Sequence, residues 1–329
     1  MRKTVGLMCL VGVMAWCSGW GGSASAETPD PLLQVRPAER ITVMTYNVEN
    51  MFDIFDDPYT GDEGTPVKRR EAVQRIARAI EAGSPDVVIF QEIENEFVIA
   101  QMAHEFLSDM GYRYILCPPT NSGRGIDLGI MSRYPIKRMA SYRLREFRHP
   151  DDGPSVIRGF SRDVMHATID VGHDRPLEVL NVHLKSNSSR EGDPYSMKQR
   201  TAEAMELKRI TREIIEADSD AWVVVGGDFN SDYERRPQDE RDWPATAHLL
   251  ETDADGTRLL TDLHAGQPRS ERITLPSKGR FPSAVFDFVL ASPALAKRVV
   301  RGSAQVVSNE AFTGGSDHLP VFATFQLGN

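Results

Sequence analysis

Cysteine is scarce in this sequence. Of 329 residues only Cys9, Cys17 and Cys117 carry a thiol. The first two lie in an N-terminal stretch that begins with Arg2 and Lys3, continues through an apolar run from Val5 to Trp16, and ends in the small-residue tract Ala24-Ser25-Ala26. A charged start, a hydrophobic middle and an A-x-A-like end read as an export signal cleaved after Ala26. Residues 1–26 are therefore expected to be a signal peptide, and the mature chain to be periplasmic or secreted. Cleavage leaves Cys117 as the single thiol, which excludes an intramolecular disulfide even in an oxidising compartment. No Cys/His pattern surrounds Cys117, so a small core hydrophobe is its expected role. Long apolar runs are missing too. Val5 to Trp16 falls short of the roughly 20 residues that cross a bilayer, and bulky Trp16 before Cys17 argues against a lipoprotein signal. No later segment is long and apolar enough, so no membrane span is expected after the signal. Positive charge is the third shortage. Lys and Arg number 38 against 47 Asp and Glu, a formal charge of −9, which the loss of Arg2 and Lys3 takes to −11. An acidic surface is a poor clamp for a long polyanion, although a phosphate could still be engaged briefly through a metal.

What is present is ordinary globular material, 40% hydrophobic and 26% charged, long enough for a substantial core. After a lead segment, residues 27–40, a strand is expected from Ile41 to Val48. Val73, Ile76, Ala77 and Ile80 follow helical spacing within a helix from Val67 to Ala82, which Gly83 closes. Asp86 to Gln91 reads as a strand buried on both faces. A second helix from Ser196 to Ala217, with Leu207, Ile210, Ile214 and Ala217 on one stripe, precedes a strand from Ala221 to Val225. Further strands are expected near Leu128 to Ser132, Val164 to Val171, Leu177 to Lys185, Ala284 to Leu290 and Val321 to Phe325. The pattern is α/β, without internal repeats or low-complexity tracts, and residues 41–329 form one domain. Long polar connections (Phe52 to Pro66, Arg148 to Phe160, Asn187 to Pro194, Ser231 to Pro244, His264 to Pro282) are of the kind that carries function.

Chemistry gathers where the strands end. In "GGDFNS", Asp228 and Asn230 follow an apolar strand and, two apart, share a face. "TYNVEN" ends the first strand with Asn47, and "VIFQEIEN" places Glu92 after the second. "NVHLKS" aligns Asn181, His183 and Lys185 on one face, opposite Leu180, Val182 and Leu184. "FDFVL" inserts Asp287 into an apolar strand, and "GGSDHLPV" presents Asp317 and His318 after two glycines. Each such residue is costly to bury unpaired. A shared polar site removes that cost.

In this order, from Thr45 to Pro320, these motifs resemble those of the endonuclease/exonuclease/phosphatase superfamily, which includes secreted deoxyribonucleases, abasic-site endonucleases, sphingomyelinases and inositol polyphosphate 5-phosphatases. The resemblance implies a four-layer α/β sandwich, with two mixed central β-sheets flanked by helices and the site at one end of the sheets. It implies Glu92 as principal metal ligand, helped by Asn47 and Asp317, with Mg²⁺ the expected ion and Mn²⁺ an alternative. By the same resemblance Asp228 is the general base for an attacking water, Asn230 orients that water or the phosphate, and His318, held by Asp287, binds the phosphoryl oxygen. His183 would contact the phosphate opposite His318. "FSRD" places Arg162 where some nucleases of the superfamily bind phosphate with an arginine, and Lys185 could contact phosphate as a point charge.

Two acidic segments invite a second divalent ion such as Ca²⁺. "FDDPYTGDEGTP" carries Asp56, Asp57, Asp62 and Glu63, and otherwise reads as a solvated rim loop. "ETDADG" spaces Glu251, Asp253 and Asp255 like the start of a calcium loop, with Asp262 at the closing position, but Arg258 stands where an apolar residue belongs. The expected function is an exported, metal-dependent phosphodiesterase. A nuclease acting on DNA or RNA is favoured because "NVHLKS" resembles the matching strand of secreted nucleases. The alternative is a phosphatase or phospholipase C-type hydrolase of a small or lipid phosphoester, which the scarcity of tryptophan and of an obvious apolar hairpin disfavours. A phosphoester is the expected partner, with no stable protein partner, and the chain is expected to be a monomer.

Overall fold

The computed structural model describes residues 35–328 except 56, 189–190, 235–244, 279–281, 310–311 and 313. The expected signal peptide and residues 27–34 of the lead segment lie outside the described residues. Ala38 is buried and its N–H donates to Val171 O at 2.9 Å, so the folded unit begins ahead of the first strand.

The chain runs through β1 (Arg40–Met51), α1 (Arg70–Gly83), β2 (Val87–Ile93), α2 (Glu96–Phe106), β3 (Tyr114–Leu116), β4 (Asp127–Ser132) and β5 (Ile136–Ser141). It continues through β6 (Val164–Ile169), β7 (Leu177–His183), α3 (Met197–Ala217), β8 (Trp222–Asp228), α4 (Ala245–Leu250) and β9 (Thr261–Asp262). The last elements are α5 (Arg269–Arg272), β10 (Asp287–Ala291), α6 (Pro293–Ala296), β11 (Gln305–Val306) and β12 (Val321–Gln326). The strands form two six-stranded sheets, ordered β11-β12-β1-β2-β4-β3 and β5-β6-β7-β8-β10-β9. Each sheet is mixed and has a central parallel pair, β1–β2 in one and β7–β8 in the other, with antiparallel neighbours on both sides.

Side-chain alternation along these strands builds three apolar layers. Inward residues such as Ile41, Val43, Val87 and Ile89 of the first sheet meet Leu177, Val179, Trp222 and Val224 of the second. Outward Met44, Val88 and Phe90 pack on Ile76 and Ile80 of α1 and on Ile99 and Met102 of α2. Outward Leu180, Val182, Val223 and Val225 pack on Leu207 and Ile210 of α3. Helix, sheet, sheet and helix make the expected four-layer sandwich. Among the described residues no helix is long and apolar enough to cross a membrane.

The inward rows change character at one end. In β1 the series Ile41, Val43 gives way to Thr45 and Asn47; in β2, Val87 and Ile89 lead to Gln91; in β7, Leu177 and Val179 lead to Asn181 and His183. In β8 the row ends at Asp228, and antiparallel β10 begins with Asp287 at the same level. His183, Asp228 and Asp287 are direct cross-strand neighbours. Just beneath, Gln91 Nε2 donates to Asn181 Oδ1 at 2.7 Å and to Thr45 Oγ1 at 3.1 Å, while Asn181 Nδ2 donates to the Phe90 and Gly129 carbonyls. Asn181 therefore ties the two sheets together under the site, and its bonds are internal.

Several elements differ from the sequence expectation. Gly83 is the last residue of α1, and Ser84 takes the left-handed conformation at φ 41°. Gly83 answers a close approach instead, since a Cβ there would lie 2.4 Å from Met44 Cε. Helix α2 and the edge strand β5 were not expected. Cys117 is half-buried beside the α1–α2 layer, and burial pushes its thiol well above the usual range, as suits a core thiol. The calcium-loop alternative loses its ligands. Asp253 is engaged by Lys208 Nζ and Arg212 Nη2 at 3.0 and 2.9 Å, and Asp262 by Arg272 and Tyr233.

Candidate active site

At the polar end of the inter-sheet layer both strands of the first sheet are irregular. Pairing of β1 with β2 shifts between Asn47 and Met51, and Glu49 and Asn50 take φ values of 50° and 54°. Pairing of β2 with β4 shifts between Gln91 and Ile93, with Glu92 at φ 66°. Strict alternation would aim Glu92 toward the helices, because Gln91 already faces inward. The bulge re-aims it, at a cost of about 1–2 kcal/mol for a left-handed non-glycine residue. The cost is met by contacts: Asn47 Nδ2 donates to Glu92 Oε1 at 3.3 Å and Asn50 N to Glu92 Oε2 at 3.0 Å.

Asn47 also reaches across to the second sheet, donating to Asp228 Oδ2 at 3.0 Å, while its own Oδ1 accepts from Glu49 N at 3.0 Å. That last bond fixes the amide, with nitrogen toward the two carboxylates. Asn230, at φ 47° beyond β8, donates through its backbone to Asp228 Oδ1 at 2.8 Å and through Nδ2 to Asp228 Oδ2 at 3.2 Å and Leu184 O at 3.1 Å. Gly227 makes the strand end possible. Its φ is 145°, and a Cβ would stand 1.9 Å from Val182 O.

The two histidines flank Asp228, with His183 Nε2 at 3.5 Å and His318 Nε2 at 3.9 Å from Oδ2. Their surroundings drive them in opposite directions. Burial would discharge His318, but Asp287 Oδ2, 2.7 Å from its Nδ1, together with Asp228 and Asp317, holds the imidazolium up to about 10. Burial pushes His183 well below the usual range, and Arg162, His318 and Lys185 add to the effect. Burial also pushes the Asp228 carboxyl up, to about 7, against the pull of His318 and with the help of Asp287. Pairs of titratable groups held in opposite states are what acid–base chemistry requires.

Asn47, Glu92, His183, Asp228, Asn230, Asp287 and His318 are thus joined in one contact network. Asp317 sits at its rim, partly exposed, with Lys278 Nζ 4.0 Å from Oδ2. Arg162 is buried, donates to Leu184 O at 3.4 Å, and acts electrostatically with Glu92 and Asp228. Lys185 bonds Ser188 Oγ at 3.1 Å through Nζ and lines the adjoining groove with Arg162.

Other contributors carry no local sequence signal. Thr274 Oγ1 accepts from the Phe286 and Asp287 N–H groups while its carbonyl accepts from Leu319 N, which ties the Asp287 and His318 segments together. Glu203 of α3 accepts from Ser161 N, Ser161 Oγ and Lys185 N, fixing the backbone beside Arg162 and Lys185. Lys68 is half-buried, with Nζ on Glu49 O at 2.6 Å and near Glu92 and Asp317. Ser316 Oγ donates to Asn47 O at 2.8 Å and accepts from His318 N. Glu49 could have been picked out as the one carboxylate of "TYNVEN".

A profile of the Endonuclease/Exonuclease/phosphatase family matches residues 44–318. The chain belongs to the endonuclease/exonuclease/phosphatase family. Among solved structures of similar fold is a truncated TDP2 from Caenorhabditis elegans, with a TM-score of 0.54 and 19% identity over 87% of this chain and 97% of that one. A second is the catalytic domain of human Nocturnin with bound sulfate, at 0.56 and 19% over 89% and 96%. A third is a family member from Beutenbergia cavernae, at 0.58 and 20% over 89% and 72%. At such identities the likeness establishes the fold. No curated protein matches the chain in sequence.

Members of this family hydrolyse phosphoesters with the help of a divalent cation, and the residues present suit one. The Asp228 and Asp287 carboxylates offer ligand atoms within 4.8 Å of one another, and Glu92 adds a further carboxylate. Hard oxygen donors of this kind suit a hard divalent cation. Asp287 Oδ1 and His183 Nδ1 are buried without a hydrogen-bond partner among the described residues, so the cluster has unused polar capacity.

Proposed function

We propose that the protein is an exported nuclease that hydrolyses DNA or RNA phosphodiester bonds with a divalent metal, Mg²⁺ first and Mn²⁺ as the alternative. The observation that carries this reading is geometric: His183 and His318 flank Asp228 at 3.5 and 3.9 Å, Asp287 braces His318 Nδ1 at 2.7 Å, and Asn47 links Asp228 to Glu92. Export is supported by the N-terminal sequence pattern alone. Among the structural relatives, TDP2 from D. rerio is known with a single-stranded DNA product, at 17% identity and a TM-score of 0.56.

In this reading Asp228, buried and held at both oxygens, takes a proton from the attacking water. Asn230 orients that water or the phosphate. His318 donates Nε2–H to a phosphoryl oxygen as negative charge develops there, and Asp287 keeps Nδ1 protonated and the ring fixed. His183 and Arg162 contact the phosphate from the other side, with Lys185 beyond them. A divalent ion held by Glu92, with Asp317, would neutralise charge on the phosphoryl group. Asn47 holds Glu92 and Asp228 in place through its amide nitrogen, with its oxygen on Glu49 N, so its expected place among the ligands would need the amide turned.

The test is digestion of supercoiled plasmid by residues 27–329 with Mg²⁺, with and without chelator, beside His318→Ala. Nicking that requires both metal and His318 supports the reading, and plasmid, single-stranded DNA and RNA all left intact by folded protein overturn it. A second reading, a small or lipid phosphoester as substrate, is favoured by one feature that the sequence did not reveal. Exposed Ile54, Phe55, Val67 and Phe97 border a cleft of about 540 Å³ that reaches Lys68 at the catalytic end. Phosphate release from a panel of such esters, with plasmid left intact, would favour it.

A further inference from the structure

A groove of about 590 Å³ opens beside the catalytic cluster, between segments 121–126 and 156–162, with Lys185 and Gln199 also lining it. Its charge is unbalanced. Arg133, Arg145, Arg158, Arg269 and Arg272 are each matched to an Asp or Glu. Arg158, in the groove wall, is neutralised by Asp152 through two bonds of 2.6 Å. Arg124 and Arg162 differ: among the described residues neither has a carboxylate at ion-pair distance. Arg162 is buried and bonds Leu184 O at 3.4 Å, and exposed Arg124 bonds the Asn50 side-chain oxygen at 2.6 Å. A buried guanidinium without a counter-ion carries a desolvation cost that a bound anion would offset.

The catalytic centre is consequently bipolar. Glu49, Glu92 and Asp317 lie on one side of it, with Lys68 and Lys278 among them. Arg162, Lys185 and Arg124 stand on the other, and all three act on His183. A single phosphate seated between the histidines can use Arg162, but it leaves Arg124 and the rest of the groove without a ligand. Val156 and Ile157, exposed at the rim, offer an apolar face of the kind a sugar or base can cover. The volume falls within the range of small-ligand sites, about 300–1,000 Å³.

We propose that this groove binds a second phosphate of the substrate, next to the scissile one, and that Arg124 is the residue that selects substrates carrying it. The favoured source is the neighbouring phosphate of a nucleic acid strand. The proposal rests on the nuclease reading of the same site and narrows it: the enzyme should prefer a strand to a diester with one phosphate. It also fits the acidic surface, because contact is confined to about two phosphates rather than spread along a polyanion.

The test has a catalytic and a binding arm, both with the mature chain and with Arg124→Gln and Arg124→Lys. The first compares kcat/KM on a single-stranded 10-mer with that on bis(4-nitrophenyl) phosphate. Arg124→Gln should lose about tenfold on the oligonucleotide, chiefly in KM, and at most about threefold on the one-phosphate diester. Arg124→Lys should recover part of the loss. Equal losses on both substrates, or none on the oligonucleotide, overturn the proposal. The second arm measures binding of the labelled 10-mer in chelator against salt. A slope near −1.4 is expected for two phosphates on a single strand, falling by about 0.7 in Arg124→Gln. If the wild type hydrolyses neither substrate, the hydrolase reading fails, while the salt slope still decides the groove. If inositol hexakisphosphate displaces the 10-mer far below the concentration at which unlabelled 10-mer does, the second phosphate belongs to a small polyphosphate and the assignment to a strand is overturned.

Discussion

Replacing Asp287 by Asn removes one charge and almost no volume, from a position that sets the state of His318. The carboxylate is buried, with Oδ2 2.7 Å from His318 Nδ1, and its backbone N–H is held separately by Thr274. With Asp287 present the imidazolium persists up to about 10; without that charge burial prevails and the ring loses its proton at neutral pH. At about 1.4 kcal/mol per unit, the rise from the ordinary 6.5 corresponds to about 5 kcal/mol, of which Asp287 supplies the larger part. The sign follows from linkage: a folded pKa above the unfolded one gives stability that is complete below about 6.5 and lost as pH rises through about 10. Wild-type stability should therefore fall between pH 7 and 10 relative to Asp287→Asn, by about 3 kcal/mol. Imidazole NMR of the metal-free protein should show His318 titrating above pH 9 in the wild type and below 6.5 in the variant. kcat on an oligonucleotide should fall about 10²–10³-fold with little change in KM. A His318 that titrates near 6.5 in both proteins, or a variant with full activity, refutes the charged-histidine argument.

Glu92→Gln should bind Mn²⁺ at least about tenfold more weakly by calorimetry and lose about 100-fold in kcat; unchanged affinity removes Glu92 from the metal site. Gly227→Ala should destabilise the fold by about 3 kcal/mol or more, because the added Cβ would overlap Val182 O; a denaturant midpoint within experimental error of wild type contradicts the close approach. Asp163, buried under Ser141 and the Tyr142 N–H, has its carboxyl pushed up by burial to about 6. The folded state then binds the extra proton, so stability falls as pH rises from about 4 to about 6, and Asp163→Asn should gain about 3 kcal/mol over wild type across that window. Parallel pH curves for the two proteins would refute it.

The α/β alternation was legible because buried strands repeat every two residues and the helices every three or four, whereas the four-layer sandwich followed from the resemblance of the strand-end motifs. Asn181, His183, Asp228 and Asp287 could be placed on inward faces by counting alone, and the sheets bring the last three side by side. Counting cannot say how deep a residue lies. Asn181 shares a face with His183 but sits two residues further in, where it binds Gln91. Nor can counting foresee a bulge: Glu92 has outward parity and reaches Asn47 only through a left-handed residue. Helix α2 was missed although Asn95 caps it, accepting from Phe97 N and Val98 N, because exposed Phe97 interrupts its stripe. Lys68, Thr274 and Glu203 act from loops and from within α3 on residues distant in sequence, so no local pattern marks them.

The position of the site follows from the same rows that build the core. Each inward series runs from aliphatic to polar, Ile41 and Val43 to Thr45 and Asn47, Leu177 and Val179 to Asn181 and His183, so the dry layer between the sheets gives way to polar groups at one end only. Polar groups buried there must satisfy one another, and the bonds that do so, Asn47 to Asp228 and His318 to Asp287, span different strands and both sheets. Low dielectric makes those interactions strong in both senses. Burial strips the proton from His183, with Arg162, His318 and Lys185 adding to the effect although Asp228 and Glu92 lie 3.5 and 4.0 Å from its Nε2. Asp287 at 2.7 Å holds a proton on His318 against burial. A phosphoryl group entering between the two rings would meet a charged donor on one side and a neutral ring on the other before any side chain moved. The burial that keeps the sheets together is therefore also what sets the two histidines in different states.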